Sequence, residues 1–410
     1  MLLGLSRKAN LGSSYMDTKL LIFETHPIQY RAPVYQVLDR MLPGQFEVIY
    51  ASDYSVRGQK DVGFNEKIAW DVPLLAGYRY RVLNNEKGRG IESWSGMSAK
   101  GVDRIISQTR PAAVLLSSLS YAFSWAVYLG AVRRGIPVWI RLETQDEAFA
   151  RGKLKNILRF LVYRLLYLGV SKAFYIGKLN REHLLRHGVP MERLVAAHYC
   201  VADHLASASD TEKQRLRDDL RTRLSIGRDD LVIAFFGKLI EKKDPGILLR
   251  SLGLLKLEGT RRVHCMIVGS GELEPALRLQ AKELEASNGV RTVFTGFINQ
   301  SQLPSYYLAS DIVVLPSHRM GETWGLVINE ALQAGCGAAV SEMVGCHRDF
   351  SGWERVRVFR HGNSEELAAA LADLAVYPRK LDWARQQMQD YSVEAAAMAI
   401  FRSLEAMPKP

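Results

Sequence analysis

The chain has 410 residues, 48% of them hydrophobic and 24% charged, with 54 lysines and arginines against 43 acids and a formal net charge of +11. That composition is globular, excludes a low-complexity or fibrous chain, and is long enough for two domains or three. The basic balance favours an anionic partner, whether a phosphorylated small molecule, an acidic membrane surface or nucleic acid.

The first residues, Met1 to Asp17, read as a disordered leader without the apolar core of a secretory signal. No apolar run approaches the roughly 18 residues of a membrane span. None of Cys200, Cys265, Cys336 and Cys346 forms a Cys-x-x-Cys pair, so free thiols in a reducing compartment are expected, with neither a disulfide framework nor a zinc site. The expected location is the cytoplasm, with a peripheral position on the inner face of the membrane as the alternative.

From residue 18, short β-rich runs alternate with helical patterns, the sign of βαβ units on a parallel sheet. The predicted strands are Leu20 to Phe23, Phe46 to Tyr50, Val114 to Leu116, Val138 to Ile140 and Ala173 to Ile176, with a helix at Tyr121 to Arg134. Arg151 to Tyr167 is basic and apolar at helical spacing. It fits a helix on an acidic membrane surface or a core-facing helix with a basic outer side. Ala206 to Asp230 is polar and charge-rich, a linker with an amphipathic helix, and the boundary falls near residue 205.

A second alternating stretch follows. Strands are predicted at Val232 to Phe236, Cys265 to Val268, Thr292 to Thr295, Ile312 to Leu315 and Ala338 to Val340. Helices are predicted at Ile247 to Leu257, Leu273 to Ala286, Leu303 to Ala309 and Leu326 to Ala334. Residues 18–205 and 206–391 thus form two Rossmann-like doubly wound α/β domains. A helix in 392–410 can pack back on the first. Such sheets bind ligands at the carboxyl ends of their strands.

The most informative stretch, PSHRMGETWGLVINEALQAG from Pro316 to Gly335, leads from a strand through a glycine loop into a helix. A helix N-terminus there offers unpaired N–H groups to a diphosphate. Glu322 in the loop, and Glu330 about two turns inside the helix, are acceptors suited to sugar hydroxyls. Two acids eight apart on a wet surface is the plain alternative. Gly237 to Asp244 (GKLIEKKD) follows the first strand of the domain. Lys238 and Lys243 can neutralise phosphate oxygens there, and Lys242 is expected to point elsewhere. Gly269-Ser-Gly271 follows the next strand and lacks the third glycine of a dinucleotide fingerprint; it is read as a turn that lets a nucleotide lie close.

The pieces FFGKLIEKKD, IVGSGEL, VFTGF, SDIVVLPS and ETWGLVINEALQAG resemble the retaining glycosyltransferases of family four, of GT-B architecture. The first half resembles a bacterial subgroup through THPIQYRAPVYQVL, WDVPLLAGYRYRVL, YIGKLNREHLLRHGVP and HYCVAD. The resemblance implies that Glu322 holds hydroxyls of the donor sugar and Glu330 the ribose. Lys238, where the family usually has arginine, and Lys243 would bind the diphosphate. Gly237, Gly269, Gly271, Thr323, Trp324, Gly325, Leu326 and Val327 would line the nucleotide-sugar site. It also implies no bound metal and no cofactor beyond the nucleotide-sugar substrate.

Many family members carry a histidine after the strand ending at Arg141. This chain reads RLETQDE, so Arg141 or Glu143 stands on the acceptor side, and His26 of THPIQY is a catalytic candidate. The acceptor is a glycan, a lipid-linked molecule or a small molecule, and no nucleic-acid motif is present. A phosphorylase, a sugar-nucleotide epimerase and a non-catalytic anion- or membrane-binding protein are the rivals.

Overall fold

The computed structural model describes residues 18–57, 60–61, 66–67, 71–84, 93–257 and 261–408. The expected leader lies outside them. Two parallel sheets organise the chain. The strands are β1 (Leu20–Glu24), β2 (Phe46–Tyr50), β3 (Lys60–Asp61), β4 (Glu66–Lys67), β5 (Tyr80–Val82), β6 (Ala113–Leu116), β7 (Val138–Ile140), β8 (Val170–Tyr175) and β9 (Leu194–Ala196) in the first half. In the second they are β10 (Leu231–Phe236), β11 (Val263–Val268), β12 (Arg291–Gly296), β13 (Ile312–Leu315), β14 (Gly337–Ser341) and β15 (Val356–Phe359).

The first sheet runs β5-β2-β1-β6-β7-β8-β9 and the second β12-β11-β10-β13-β14-β15; β3 and β4 pair separately. Central strands such as LLIFE and LVIAFF are buried throughout, which is why they read as continuous apolar runs rather than alternating ones. Chain order reverses beside β1 in the first sheet and beside β10 in the second. Each reversal opens a crevice at the carboxyl ends of the strands.

The helices are α1 (Ala32–Met41), α2 (Val102–Thr109), α3 (Ala122–Val132), α4 (Lys153–Leu168), α5 (Lys178–Arg186), α6 (Asp210–Arg223), α7 (Gly246–Leu254), α8 (Glu274–Asn288), α9 (Leu303–Ala309), α10 (Leu326–Gln333), α11 (His347–Phe350), α12 (Ser364–Ala375) and α13 (Val393–Glu405). Polar caps mark the starts of α6 and α12: Ser209 Oγ accepts from the Glu212 N–H and Asn363 from that of Glu366. The edge strands β5, β9 and β15, and the pair α12 and β15, extend beyond the predicted elements.

The stretch 206–230 is more than a tether. Its helix α6 contains few apolar residues, yet Arg217 and Arg221 are buried and both reach the Asp311 carboxylate, at 2.5 and 2.8 Å. They also donate to the carbonyls of Leu308 and Ala309 at the end of α9. A buried charge cluster therefore fixes α6 to the second domain where an apolar stripe would normally do so. At the other end of the chain, α13 packs Val393, Ala397, Ile400 and Leu404 into one cluster with Leu20, Ile22, Val34 and Leu38 of the first domain. All four cysteines are buried and free.

The domains touch through several polar contacts. Phe149 and Met320 form an antiparallel bridge, and the Gly321 N–H donates to the Ala148 carbonyl at 2.9 Å. Arg348 pairs with Glu147 and Glu182 at 2.8 and 2.9 Å. The buried Asp349 carboxylate accepts the Lys178 N–H at the start of α5. This acid from α11 supplies the N-terminal acceptor that α5 lacks in its own sequence, where Gly177 precedes it.

Candidate active site

A cavity of about 560 Å³ lies between the domains, at both sheets' carboxyl ends. From the second domain come Gly237, Lys238 and Lys243 after β10, Gly269 after β11, and Glu322 through Val327 with Glu330 after β13. From the first come Gln29, Tyr30, Pro33, Gln36, Val72, Leu74 and Glu143. The crossover segment adds Tyr199, Val201 and His204.

Lys243 Nζ lies 2.5 Å from Glu322 Oε2, so the loops after β10 and β13 are joined by an ion pair at the cavity wall. Lys242 does not point away, as the turn geometry suggested. Its Nζ donates to the Gly321 carbonyl at 3.1 Å and sits 3.9 Å from Glu322. The short 3₁₀ turn Glu241–Lys243 brings neighbouring lysines onto the same loop, and partial burial pulls the Lys242 ammonium below its ordinary range despite the Glu322 charge.

Helix α10 starts at Gly325, whose φ of 103° is left-handed, and a Cβ there would meet Val344 and Leu315 within 2.7 Å. Glycine alone fits, and the free N–H groups of Leu326 and Val327 open on the cavity. Glu330 is one turn inside the helix rather than two. Its carboxyl is pushed up to about 7 by burial, while the Tyr307 hydroxyl, donating at 2.6 Å, works in the opposite direction. Trp324 is buried, with its indole N–H on Asn329 at 2.8 Å, and Asn329 in turn donates to the Tyr199 carbonyl.

Gly269 and Gly271 have a packing job that the sequence did not suggest. Added Cβ atoms would fall 1.9 Å from the Gly237 carbonyl oxygen and 2.6 Å from that of Leu239. These glycines let the loops after β10 and β11 pack backbone on backbone. Gly269 still borders the cavity; Gly271 does not.

On the facing wall, Glu143 is held on several sides. Arg31 donates to it at 2.8 Å, Tyr30 at 3.2 Å and Tyr199 through a short bond, and Thr323 reaches across from the second domain at 3.2 Å. Burial would raise the carboxyl, yet the Arg31 charge and these donors hold it below its ordinary range. It stays ionised at neutral pH. Behind it, Arg31 is paired with Glu24 at 2.7 Å, and Glu24 also accepts from Tyr35 and Ser117. That buried cluster fills the crevice of the first sheet. Sequence reading missed it, although Tyr30 and Arg31 stand in the very motif THPIQYRAP.

His26 and Arg141 are not brought to the cavity. The His26 ring is engaged at both nitrogens, by Thr25 Oγ1 at 2.9 Å and the Tyr54 hydroxyl at 3.0 Å. Burial, helped by the nearby Arg31 charge, lowers its pKa to about 3. A neutral imidazole with both nitrogens occupied has no free acceptor for a substrate proton. Arg141 is buried with its guanidinium on the Ala197 and His198 carbonyls. It anchors the crossover, while Glu143 reaches the cavity.

Among the described residues, Asp146, His183 and His187 form the grouping of metal-ligating types. It suits no cation. Both His183 nitrogens are bonded, to Asp146 and Tyr167, and Arg159 and Arg186 already flank the Asp146 carboxylate.

Residues 217–389 match the family model of glycosyl transferases group 1. That match covers most of the second domain. A D-inositol 3-phosphate glycosyltransferase of Thermomonospora curvata is 29% identical over 40% of this chain and 39% of its own length. An alpha-monoglucosyldiacylglycerol synthase of Streptococcus pneumoniae is 28% identical over 49% of this chain and 45% of its own. The chain thus spans less than half the length of these curated relatives.

Solved structures extend the fold to both domains. HepE of Anabaena in complex with UDP and glucose aligns over 95% of this chain and all of its own, with a TM-score of 0.64 at 15% identity. The lipopolysaccharide glycosyltransferase WaaG aligns over 95% with a TM-score of 0.61 at 12% identity. The architecture is GT-B, two Rossmann-like domains facing a cleft.

Proposed function

We propose that the chain is a retaining glycosyltransferase that takes a hexose from a nucleotide-diphosphate sugar. The convergence of the Lys243–Glu322 pair, the open N-terminus of α10 and the carboxyl of Glu330 on one interdomain cavity carries the reading. Lys238, Lys243 and the α10 terminus receive the diphosphate, Glu322 the hydroxyls of the donor sugar and Glu330 the ribose. The acceptor, a glycan, a lipid-linked molecule or a small molecule, enters from the first-domain wall, where Glu143 is the ionised group that can accept its hydroxyl proton. Attack from the face of departure is the stereochemistry the family resemblance implies. Two cations and a helix terminus supply the charge that a metal would otherwise provide.

The test is a thermal-shift screen with UDP-, GDP- and ADP-sugars, followed by product analysis with the donor that binds. The expected result is one stabilising nucleotide and sugar transfer that persists in EDTA. Loss of transfer in EDTA, restored by magnesium or manganese, means the diphosphate site is wrongly placed. Phosphate-dependent cleavage or epimerised nucleotide sugar would put the chain with the rival GT-B enzymes.

Glu330 makes the assignment pH-sensitive. With a carboxyl near 7, about a tenth of the molecules carry the carboxylate at pH 6 and about nine-tenths at pH 8. Ribose hydroxyls donate to the ionised form, so nucleotide affinity should rise with pH across that window, by up to roughly tenfold. The same shift acts oppositely on the free protein: a folded pKa above the ordinary 4.5 favours the fold at low pH and loses that contribution as pH rises through 7. Calorimetry on wild type and Glu330→Gln separates the effect from titration of the nucleotide itself. A variant with unchanged affinity and the same pH profile would remove Glu330 from the ribose site.

A further inference from the structure

Helix α4 is turned inside out relative to a core-facing helix. Of its apolar residues, Leu154, Leu165 and Leu168 are 81%, 69% and 72% exposed, and Ile157, Leu158, Leu161 and Val162 are exposed as well. At 100° per residue these seven fall within an arc of about 140°. Lys153 and Arg164 border one margin of the stripe and Lys155 the other, all three exposed, while Arg159 turns inward to Asp146 and the Tyr163 ring; α4 contains no acid. The opposite side faces the protein through aromatic contacts: Tyr163 against His183 and His187, and Tyr167 against His183. Contiguous apolar surface of this kind marks a docking face.

Charge decides between occupants. A second copy of the chain laid on this stripe would bring two sets of three exposed cations together with no carboxylate of α4 to offset them. An anionic bilayer offers acyl chains to the apolar arc and phosphate groups to basic margins, whose long side chains reach outward while the stripe sinks in. The stripe is also joined to the cleft. The segment running from β7 into α4 carries Glu143 at the cavity, and Phe149, bridged to Met320, adds a half-exposed apolar pair between them.

We propose that α4 is an interfacial helix that seats the first domain on an anionic membrane surface. The cavity then opens beside the lipid headgroups, where a lipid-borne acceptor could enter. The docking itself stands apart from the glycosyltransferase reading.

The test is co-sedimentation of the full chain with vesicles of phosphatidylcholine alone and of phosphatidylcholine with phosphatidylglycerol. Binding should require the anionic lipid and weaken with salt. Leu158→Asp/Leu165→Asp should abolish it at any salt, and Lys153→Glu/Lys155→Glu should lower it by roughly tenfold or more. Circular dichroism and the nucleotide thermal shift report whether fold and cleft are intact. If the double aspartate variant does not fold, the single change at the most exposed position, Leu154→Asp, is read instead and should weaken binding. Absence of wild-type binding, or variants that bind like wild type, overturns the proposal. So does a concentration-dependent dimer, seen by light scattering, that the aspartate variants dissolve. A chain that binds vesicles but no nucleotide would fail the enzymatic reading while leaving the docking intact.

Discussion

Replacing Lys243 with alanine is expected to lower kcat by roughly ten- to a thousandfold, corresponding to about 1.4 to 4 kcal/mol of lost transition-state stabilisation. In the free protein Lys243 is paired with Glu322 at 2.5 Å. A donor diphosphate between the β10 loop and the start of α10 offers its ammonium a second anion. Negative charge grows on that group as the glycosidic bond breaks, so the lysine should favour the transition state over the bound donor. Lys238→Ala should act in the same direction, since Lys238 borders the same cavity. Lys242 cannot serve as the control, because it contacts the Gly321 carbonyl and lies near Glu322. Lys282, exposed on α8, is the suitable one. Steady-state kinetics on the three alanine variants, with circular dichroism for the fold, decide the matter. If Lys282→Ala is equally damaging, the effect is general basicity. If kcat survives at both cavity lysines, stabilisation of the leaving group rests on the helix terminus.

The parallel sheets were legible because their central strands are buried on both faces and read as uninterrupted apolar runs. Phe46 to Tyr50 and Ile312 to Leu315 match the observed bounds. The edge strands were not. Tyr80–Val82 and Val356–Phe359 are short and partly exposed, so their composition does not separate them from loops. Helix α4 defeated periodicity for another reason. It is apolar around most of its circumference, and its inner side is aromatic, so pattern alone cannot say which face meets the protein.

The second-domain wall of the cavity was legible as well, since its residues crowd into two loops, 237–244 and 316–327, that follow strands. The facing wall is assembled from distant positions. Glu143, Arg31 and Tyr199 are drawn together by the first sheet, and Thr323 joins them only because the two sheets face one another. His26 shows the converse error: its place at a strand end suggested chemistry, but Tyr54, remote in sequence, occupies the nitrogen that a substrate would need. The glycines of Gly269-Ser-Gly271 were noticed for their conformational freedom, and the close approach they make here is to the β10 loop.

The largest effect on stability is expected at Asp311. Its carboxylate takes Arg217 at 2.5 Å, Arg221 at 2.8 Å and the Val232 N–H at 2.8 Å, all buried between α6, β10 and β13. Burial alone would raise its pKa, yet the two arginines hold it below the ordinary 3.8. Asp311→Ala leaves two guanidiniums in the interior without their counter-charge, a loss of about 3 to 5 kcal/mol. Because α6 has so few apolar contacts of its own, the damage should be greatest there, with α6 released before the sheet opens. The sign of the pH dependence follows from the lowered pKa. Wild type keeps this contribution above pH 3.8 and loses it as pH falls through the folded value, whereas the alanine variant has no such acid limb from this site. Urea unfolding at neutral and acid pH measures both quantities. An unfolding free energy for Asp311→Ala within about 0.5 kcal/mol of wild type at pH 7 would mean that the carbonyls of Leu308, Ala309, Gly227 and Asp230, which the same arginines also hold, suffice to keep α6 in place.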